Sequence, residues 1–522
     1  MPHGIETRLI ERITPMAREL CTTQARALAD LRYADVRVEV SEGKFAGAEN
    51  GAAKSSGDDY AFAFGIRVLA GRRMSAPGYF GRGLGVADLP ELARLLKEGL
   101  LAAYRRAMAN AEMKAEVKGK FGALGDALAD TRLHPIPVRQ EIVPAVFEVD
   151  PRDVPLDDMV GLTTEVSRRV GGSHAAVSYN YISTMTQLSR ELFASSEGAL
   201  IDQSFALTQG MCYVVATGAD NSQEIYDVLG HQRGWEILAR GVSEPLIEFP
   251  PFPEFALAMA RDAVELSQAP SLAPPAREVT VVTDPHYNTL LSHEIVGHPV
   301  ELDRGLKMET AYAGRSWLLR GLDDTQLGKR IASPLVTAFS DPSLPGYGHY
   351  AYDHEGTPAR RVVHIDRGLF TGFMNSRQTA AVFGGDPNGH WKATDAALVP
   401  LVRMSTTVFA GGDHDARDLV KDVDHGYYLV GHRTPSIAES RENFRISARK
   451  VYEIHRGEIG RLYRDGGIMA DSRDYLMNVD GVGRDFRLYP IPNCGKGQPM
   501  QTRKLGNGGP TLRSRALLTG GA

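Results

Sequence analysis

The chain has 522 residues, 43% of them hydrophobic and 24% charged, ordinary globular usage for a protein of more than one domain. Its net charge of −5 gives no general attraction to polyanions, its three cysteines are too few for a disulfide framework, and no run approaches the roughly 18 apolar residues of a membrane span. The stretch from Met1 to Leu20 is studded with Glu and Arg and lacks the apolar core of a secretory signal, so a reducing, cytoplasmic setting is expected.

In chain order, an opening helix is predicted over Ile5–Leu31, then strands at Ala34–Val40 and Phe64–Val68 and a helix from near Leu89. These make residues 1–120 an N-terminal α/β subdomain. Residues 121–270 form a middle α/β subdomain and linker: β-rich segments Glu141–Val149 and Met211–Thr217, a helix over Leu156–Val170, the proline-rich Phe249–Pro253, a helix over Glu254–Gln268 and the crossing Ala269–Pro275. Residues 271–522 open with a strand, Glu278–Thr283, and one helix, and are then mainly β. The expected class is therefore α+β, an N-terminal α/β region followed by a largely β C-terminal domain that carries the motif helix. Val363–Phe370 and Tyr452–Ile459 each read as strand, Arg-Gly turn and returning strand, repeated local chemistry and not an internal duplication.

The motif is H-E-I-V-G-H at 293–298. Imidazoles bind Zn²⁺ directly, and a glutamate outside the coordination shell can take a proton from the attacking water and return it to the leaving group. The spacing is one residue longer than the H-E-x-x-H of common zinc peptidases. On an ideal helix that extra residue rotates His298 by about 140° from His293, so a straight helix cannot present both to one ion. Asp284-Pro285 supplies an N-cap and first-turn proline, and Leu290, Leu291, Ile295 and Val296 continue the helical pattern. Pro299 is expected to push His298 out of the α region. Either a π-bulge, which brings i and i+5 together, or a helix that stops at Gly297 lets the imidazoles converge.

Cys494 lies in Y-P-I-P-N-C-G-K-G-Q-P at 489–499, where proline and glycine on both sides predict a shaped loop. Lys496 beside it biases the thiol toward thiolate, the metal-binding form. Cys21 and Cys212 sit in largely apolar text and are expected to be buried small hydrophobes.

H-E-I-V-G-H-P-V-E-L-D-R at 293–304, then Asp353-His354-Glu355-Gly356-Thr357-Pro358 and N-C-G-K-G-Q-P at 493–499, together resemble the TldD/PmbA family of metallopeptidases, also called modulators of DNA gyrase. The resemblance runs through most of the chain and is strongest from about Glu278 onward. It implies zinc held by His293, His298 and Cys494, with Glu294 as the catalytic base, and a catalytic, TldD-like member. It also implies a dimer, either with itself or with a sister family member. Some members carry one more residue inside the C-G-K-x-G-Q loop than this chain does.

Other tempting residues have plainer readings. The loop Gly346–His354 is rich in groups that could steady a substrate carbonyl, though such loops are more often packed turns. Asp413-His414-Asp415 and Asp424-His425 read as solvated faces, and G-R-G-L-G at 81–85 opens no βαβ unit. The mildly basic C-terminal stretch, from Arg487 to Arg515, lacks interleaved aromatics, so direct nucleic-acid binding is not expected. The function expected is a zinc peptidase acting on unfolded or short polypeptides, with no membrane partner. The alternatives are another zinc amidase of deformylase type and a non-catalytic partner subunit, the latter disfavoured by the intact motif. No substrate-binding residue can be named from the sequence.

Overall fold

A computed structural model describes residues 4–121, 130–311 and 314–520. Its first layer is a seven-stranded sheet. β1 (Leu31–Glu49) pairs on one side with β2 (Ala52–Ala70), which pairs with β3 (Ala76–Gly83). On its other side β1 pairs with β5 (Val177–Ser195), then β6 (Leu200–Thr217), whose far edge is shared by β4 (Gln140–Val143) and β7 (Ser222–His231). Strands from before and after residue 120 thus share one sheet.

Side chains on a strand alternate between faces, and here the alternation decides what each face meets. Val36, Val38, Val40, Phe64 and Ile66 are buried with Ile10, Ile13, Leu96 and Leu100 of the helices Leu9–Glu19 and Leu92–Phe121. Ile182, Cys212 and Val214 are buried with Val166, Phe252 and Ala256 of the helices Leu156–Gly171 and Phe252–Gln268. The opposite face carries Arg37, Arg67 and Glu191, which bond to His354, Glu355 and Lys392 of the C-terminal region. Gly65 and Gly81 are paired across β2 and β3, and a Cβ at either would overlap the carbonyl oxygen of Ala396 or Ala397. Gly81, the first glycine of G-R-G-L-G, therefore serves close packing of the sheet against that loop, whereas Gly83 and Gly85 face open space.

Among the described residues the C-terminal region has two small two-stranded sheets and two large β units. In one, Glu278–Thr283 pairs with His425–Ile437, then Asn443–His455, Gly467–Asp471 and Leu512–Thr519, which pairs back with Glu278–Thr283, so the hydrogen bonding closes into a five-stranded ring. The other is a six-stranded sheet ordered Leu369–Phe370, Val362–Asp366, Ala338–Ser340, Thr406–Phe409, Gln501–Gly509, Arg487–Lys496. The motif helix lies between them and buries Tyr287, Leu290, Leu291, Ile295 and Val296 in the largest core cluster.

Several local expectations change. The opening helix is α only over Leu9–Glu19, followed by a π turn, Leu20–Gln24, and a 3-10 turn, Ala25–Ala27. The β segment expected at Glu141–Val149 is Gln140–Val143, because Pro144 supplies no donor to continue the ladder. Cys494 lies in a strand, Arg487–Lys496, not a loop. That strand is the edge of its sheet, where Pro490 and Pro492 are tolerated, and its register slips between Ile491 and Cys494. Both Arg-Gly hairpins form, with φ of 43° and 82° at Arg367 and Gly368 and 49° and 80° at Arg456 and Gly457, and they lie in different sheets. Among the described residues no helix is long and apolar enough to cross a membrane.

Candidate metal centre

Asp284 caps the motif helix by accepting from the Tyr287 N–H at 2.7 Å, and Pro285 takes the first turn, where no donor is missed. The helix is α over Pro285–Leu291 and π over Ser292–Gly297. The His298 N–H reaches the His293 carbonyl at 3.1 Å, an i to i+5 bond, so the π-bulge is the outcome adopted. One expectation is overturned here. His298 keeps φ −66° and ψ −44°, right-handed helical values, despite Pro299. The π bond and full burial of the turn outweigh the modest pre-proline penalty, and Pro299, lacking an N–H, then ends the helix.

The wide turn sets the two imidazoles with ring centroids 4.7 Å apart and planes at 87°, and the edge strand brings Cys494 to them. The Cys494 Sγ is 3.7 Å from His298 Nε2, and one potential ligand atom from each of His293, His298 and Cys494 lies within 4.8 Å of the others. All three residues are buried. The donor set suits zinc on two grounds. Thiolate plus two imidazoles is a zinc set, and three protein ligands leave a position open for catalysis. Each Nδ1 is also already engaged, that of His293 3.1 Å from Asn507 Oδ1 and that of His298 3.2 Å from Glu301 Oε2, which leaves the Nε2 atoms for an ion.

Burial by itself raises the Cys494 thiol, but the imidazoles of His293 and His298 and the Arg403 guanidinium oppose it and hold the thiol well below its usual range. Burial by itself lowers His293, and the adjacent Cys494 sulfur outweighs that and pushes it up to about 9. Lys496 acts elsewhere than expected: its ammonium bonds Asp303 Oδ1 at 2.6 Å and Val402 O at 2.7 Å, with Glu301 at 3.4 Å. The cation nearest the cysteine backbone is Arg403, whose Nη2 donates to the Cys494 carbonyl at 2.5 Å. Glu301 also accepts from Arg304 Nε at 2.5 Å, so a buried carboxylate between cations orients His298. Cys21 and Cys212 are buried as expected, and burial raises both thiols.

Glu294 stands beside the ligand set. Together with His293, Leu290, His432, Tyr226 and Asn493 it lines a cleft of about 310 Å³. The cleft runs between β7 and the edge strand of Cys494, each paired on one side only among the described residues. Glu294 Oε2 accepts from Arg441 Nη1 at 2.6 Å. Asn507, Glu301, Arg403 and Arg441 were not singled out as site residues by the sequence reading. Glu301 fell inside the quoted motif, whereas nothing in the local text marks Arg441.

The other candidates have structural places. Tyr347 bonds Gln209 of β6, Tyr350 bonds the Gly389 carbonyl and His354 meets Arg37 and Glu191, so the Gly346–His354 loop packs on the first sheet. Asp415 caps the helix Ala416–Lys421, and His425 is exposed.

Similarity to known proteins places the chain among metallopeptidase relatives. Residues 276–520 match the model of the PmbA/TldA metallopeptidase C-terminal domain. A metalloprotease of Methanothermobacter thermautotrophicus is 32% identical over 375 residues, 71% of this chain and 76% of the relative. A zinc metalloprotease TldD homolog of Saccharolobus solfataricus is 25% identical over 68% of this chain and 74% of its own length. Among solved structures, a putative modulator of a DNA gyrase from Thermotoga maritima superposes with TM-score 0.69 at 14% identity, covering 93% of this chain and 96% of that one. TldE from Thermococcus kodakarensis gives 0.67 at 16%, covering 98% and 99%; both likenesses concern the fold.

Proposed function

Because this chain belongs to the PmbA/TldD metallopeptidase family, we propose that it is a zinc-dependent peptidase that cuts unfolded or short polypeptides, with residues 271–522 as its catalytic unit. His293, His298 and Cys494 hold the zinc and Glu294 is the general base. The observation carrying this reading is the convergence of the three ligand atoms within 4.8 Å, beside a cleft that His293 and Glu294 both line. Zinc, once bound, supplies Lewis acidity toward water and the scissile carbonyl. Asn507 and Glu301 keep the imidazoles oriented, and Arg304 and Lys496 offset the buried charge of Glu301. Glu294 takes the proton of the attacking water and passes it to the departing amine.

The cleft favours an extended chain. β7 lines it through Glu224, Tyr226, Asp227 and Val228 and has no second strand partner among the described residues; Arg433 donates to the Glu224 carbonyl at 3.0 Å and the Val228 N–H to Asp227 Oδ1 at 2.8 Å, and a peptide can add to the remaining edge through main-chain hydrogen bonds while its side chains are read loosely. A folded substrate would first have to lose its stability, commonly about 5–15 kcal/mol. The protein is expected to work as a dimer, with itself or a sister chain, in a reducing cytoplasm that keeps Cys494 a thiol. The zinc-loaded protein should digest a reduced and alkylated small protein and spare its native form. Equal rates on the two would end the extended-chain reading, and no cleavage of either by a zinc-loaded dimer would end the peptidase reading.

A further inference from the structure

Arg441 sits in the turn between the barrel strands His425–Ile437 and Asn443–His455, remote in sequence from the motif. Its φ is +68°, a left-handed conformation unfavourable for a residue with a side chain. The turn is nevertheless tied down on several sides. The Arg441 N–H donates to Ala438 O at 2.9 Å, Ser472 Oγ donates to the Arg441 carbonyl at 2.8 Å, the Ser472 N–H reaches Glu442 O at 2.6 Å, and Arg320 pairs with Glu442 at 2.5 Å. From this anchored turn the guanidinium enters the metal centre, and Nη1 donates to Glu294 Oε2 at 2.6 Å, with the two side chains 11% and 9% exposed. The described walls of the cleft include Glu294 and do not include Arg441. The guanidinium bonds Oε2, so Oε1 of Glu294, a residue that lines the cleft, is not engaged by that bond.

We propose that Arg441 is a positioning residue for the base: it clamps Oε2 of Glu294 so that Oε1 faces the cleft in one orientation. The proposal rests on Glu294 being the base. A glutamate side chain has three rotatable bonds, and a base must be within hydrogen-bond reach of its proton at the moment of transfer. A charge-assisted hydrogen bond from a rigid turn restricts those rotations without occupying the working oxygen. The unfavourable φ fits this role, since arginine stands where glycine would suit the backbone better.

That same φ supplies a clean test. Arg441→Gly removes the guanidinium at a backbone position that glycine accepts, so the turn should persist. Zinc content and thermal midpoint should match the parent, KM should stay within about threefold, and kcat should fall about 10- to 100-fold, the scale of a displaced catalytic group. Arg441→Lys should recover part of kcat, because an ammonium on a similar stem can still reach one oxygen. In a Glu294→Gln background Arg441→Gly should cost no more than about twofold further, because residues acting as a unit are not additive. Parent-like kcat in Arg441→Gly, an equal loss in the Glu294→Gln background, or a loss explained by missing zinc or a lowered thermal midpoint would each overturn the clamp. If Glu294→Gln alone cleaves at the parent rate, it is the base assignment that fails.

Discussion

The amide of His298 donates to the carbonyl of His293 at 3.1 Å, and this one i to i+5 bond brings together two candidate metal ligands whose spacing a regular helix would scatter. The π turn absorbs the extra residue of H-E-x-x-x-H, so the two rings meet at 4.7 Å instead of pointing to different sides of the helix. Gly297 is part of the arrangement. It packs directly on Met404, a buried core residue, and a Cβ there would overlap the Met404 sulfur.

Gly297→Ala should therefore lower unfolding free energy by about 1–3 kcal/mol, the usual cost of overpacking, and weaken zinc binding with it. Combining it with Met404→Ala should cost less than the sum of the two single changes, because the second makes room for the first. Urea denaturation of the four proteins measures the coupling. Additive losses would show that the turn does not depend on this contact.

Cys494→Ala should reduce bound zinc from about one per chain to a small residue, since two imidazoles alone hold the ion weakly. Elemental analysis after dialysis decides it, and full occupancy would remove Cys494 from the ligand set.

Asn507→Ala leaves all three proposed ligands in place but frees the His293 ring, whose Nδ1 lies 3.1 Å from the Asn507 side chain. Zinc affinity should drop about 10- to 100-fold, as when other metal-binding histidines lose an orienting partner. Competition with a chromogenic chelator gives the constant. An unchanged value would mean that packing alone orients the ring.

His364 is fully buried between Gly372 O at 2.9 Å and Ser340 Oγ at 2.8 Å, and burial depresses it to about 4. Unfolded, it titrates near 6.5, so below that pH the unfolded chain takes up the proton first. Its contribution is complete above about pH 6.5 and is lost as pH falls toward 4, about 3 kcal/mol at most. The urea midpoint of the zinc-free protein should fall over this range, and less steeply in His364→Gln. Parallel pH curves for the two would show that His364 does not drive the acid lability.

Candidate residues for the metal centre could be named from the sequence, and the structure brings them together. His293, Glu294 and His298 were legible as candidates because zinc chemistry needs those residue types, Cys494 joined them through the family resemblance, and the π-bulge was one of two ways to reconcile a five-residue spacing with helix geometry. The strand Glu278–Thr283, the helix Leu156–Gly171 and both Arg-Gly hairpins were legible too, since periodicity and turn residues are local signals. The charges around the centre come from long-range folding. Lys496 is two residues from Cys494 yet serves Asp303 and Glu301, while Arg403 and Arg441, from other strands and turns, reach Cys494 and Glu294. It also placed Cys494 on a strand where its prolines and glycines suggested a loop, because an edge strand leaves room for residues that cannot donate. Such partners are joined by long-range packing between the barrel, the six-stranded sheet and the motif helix, and a pattern read along one chain carries no record of which side chains that packing brings together.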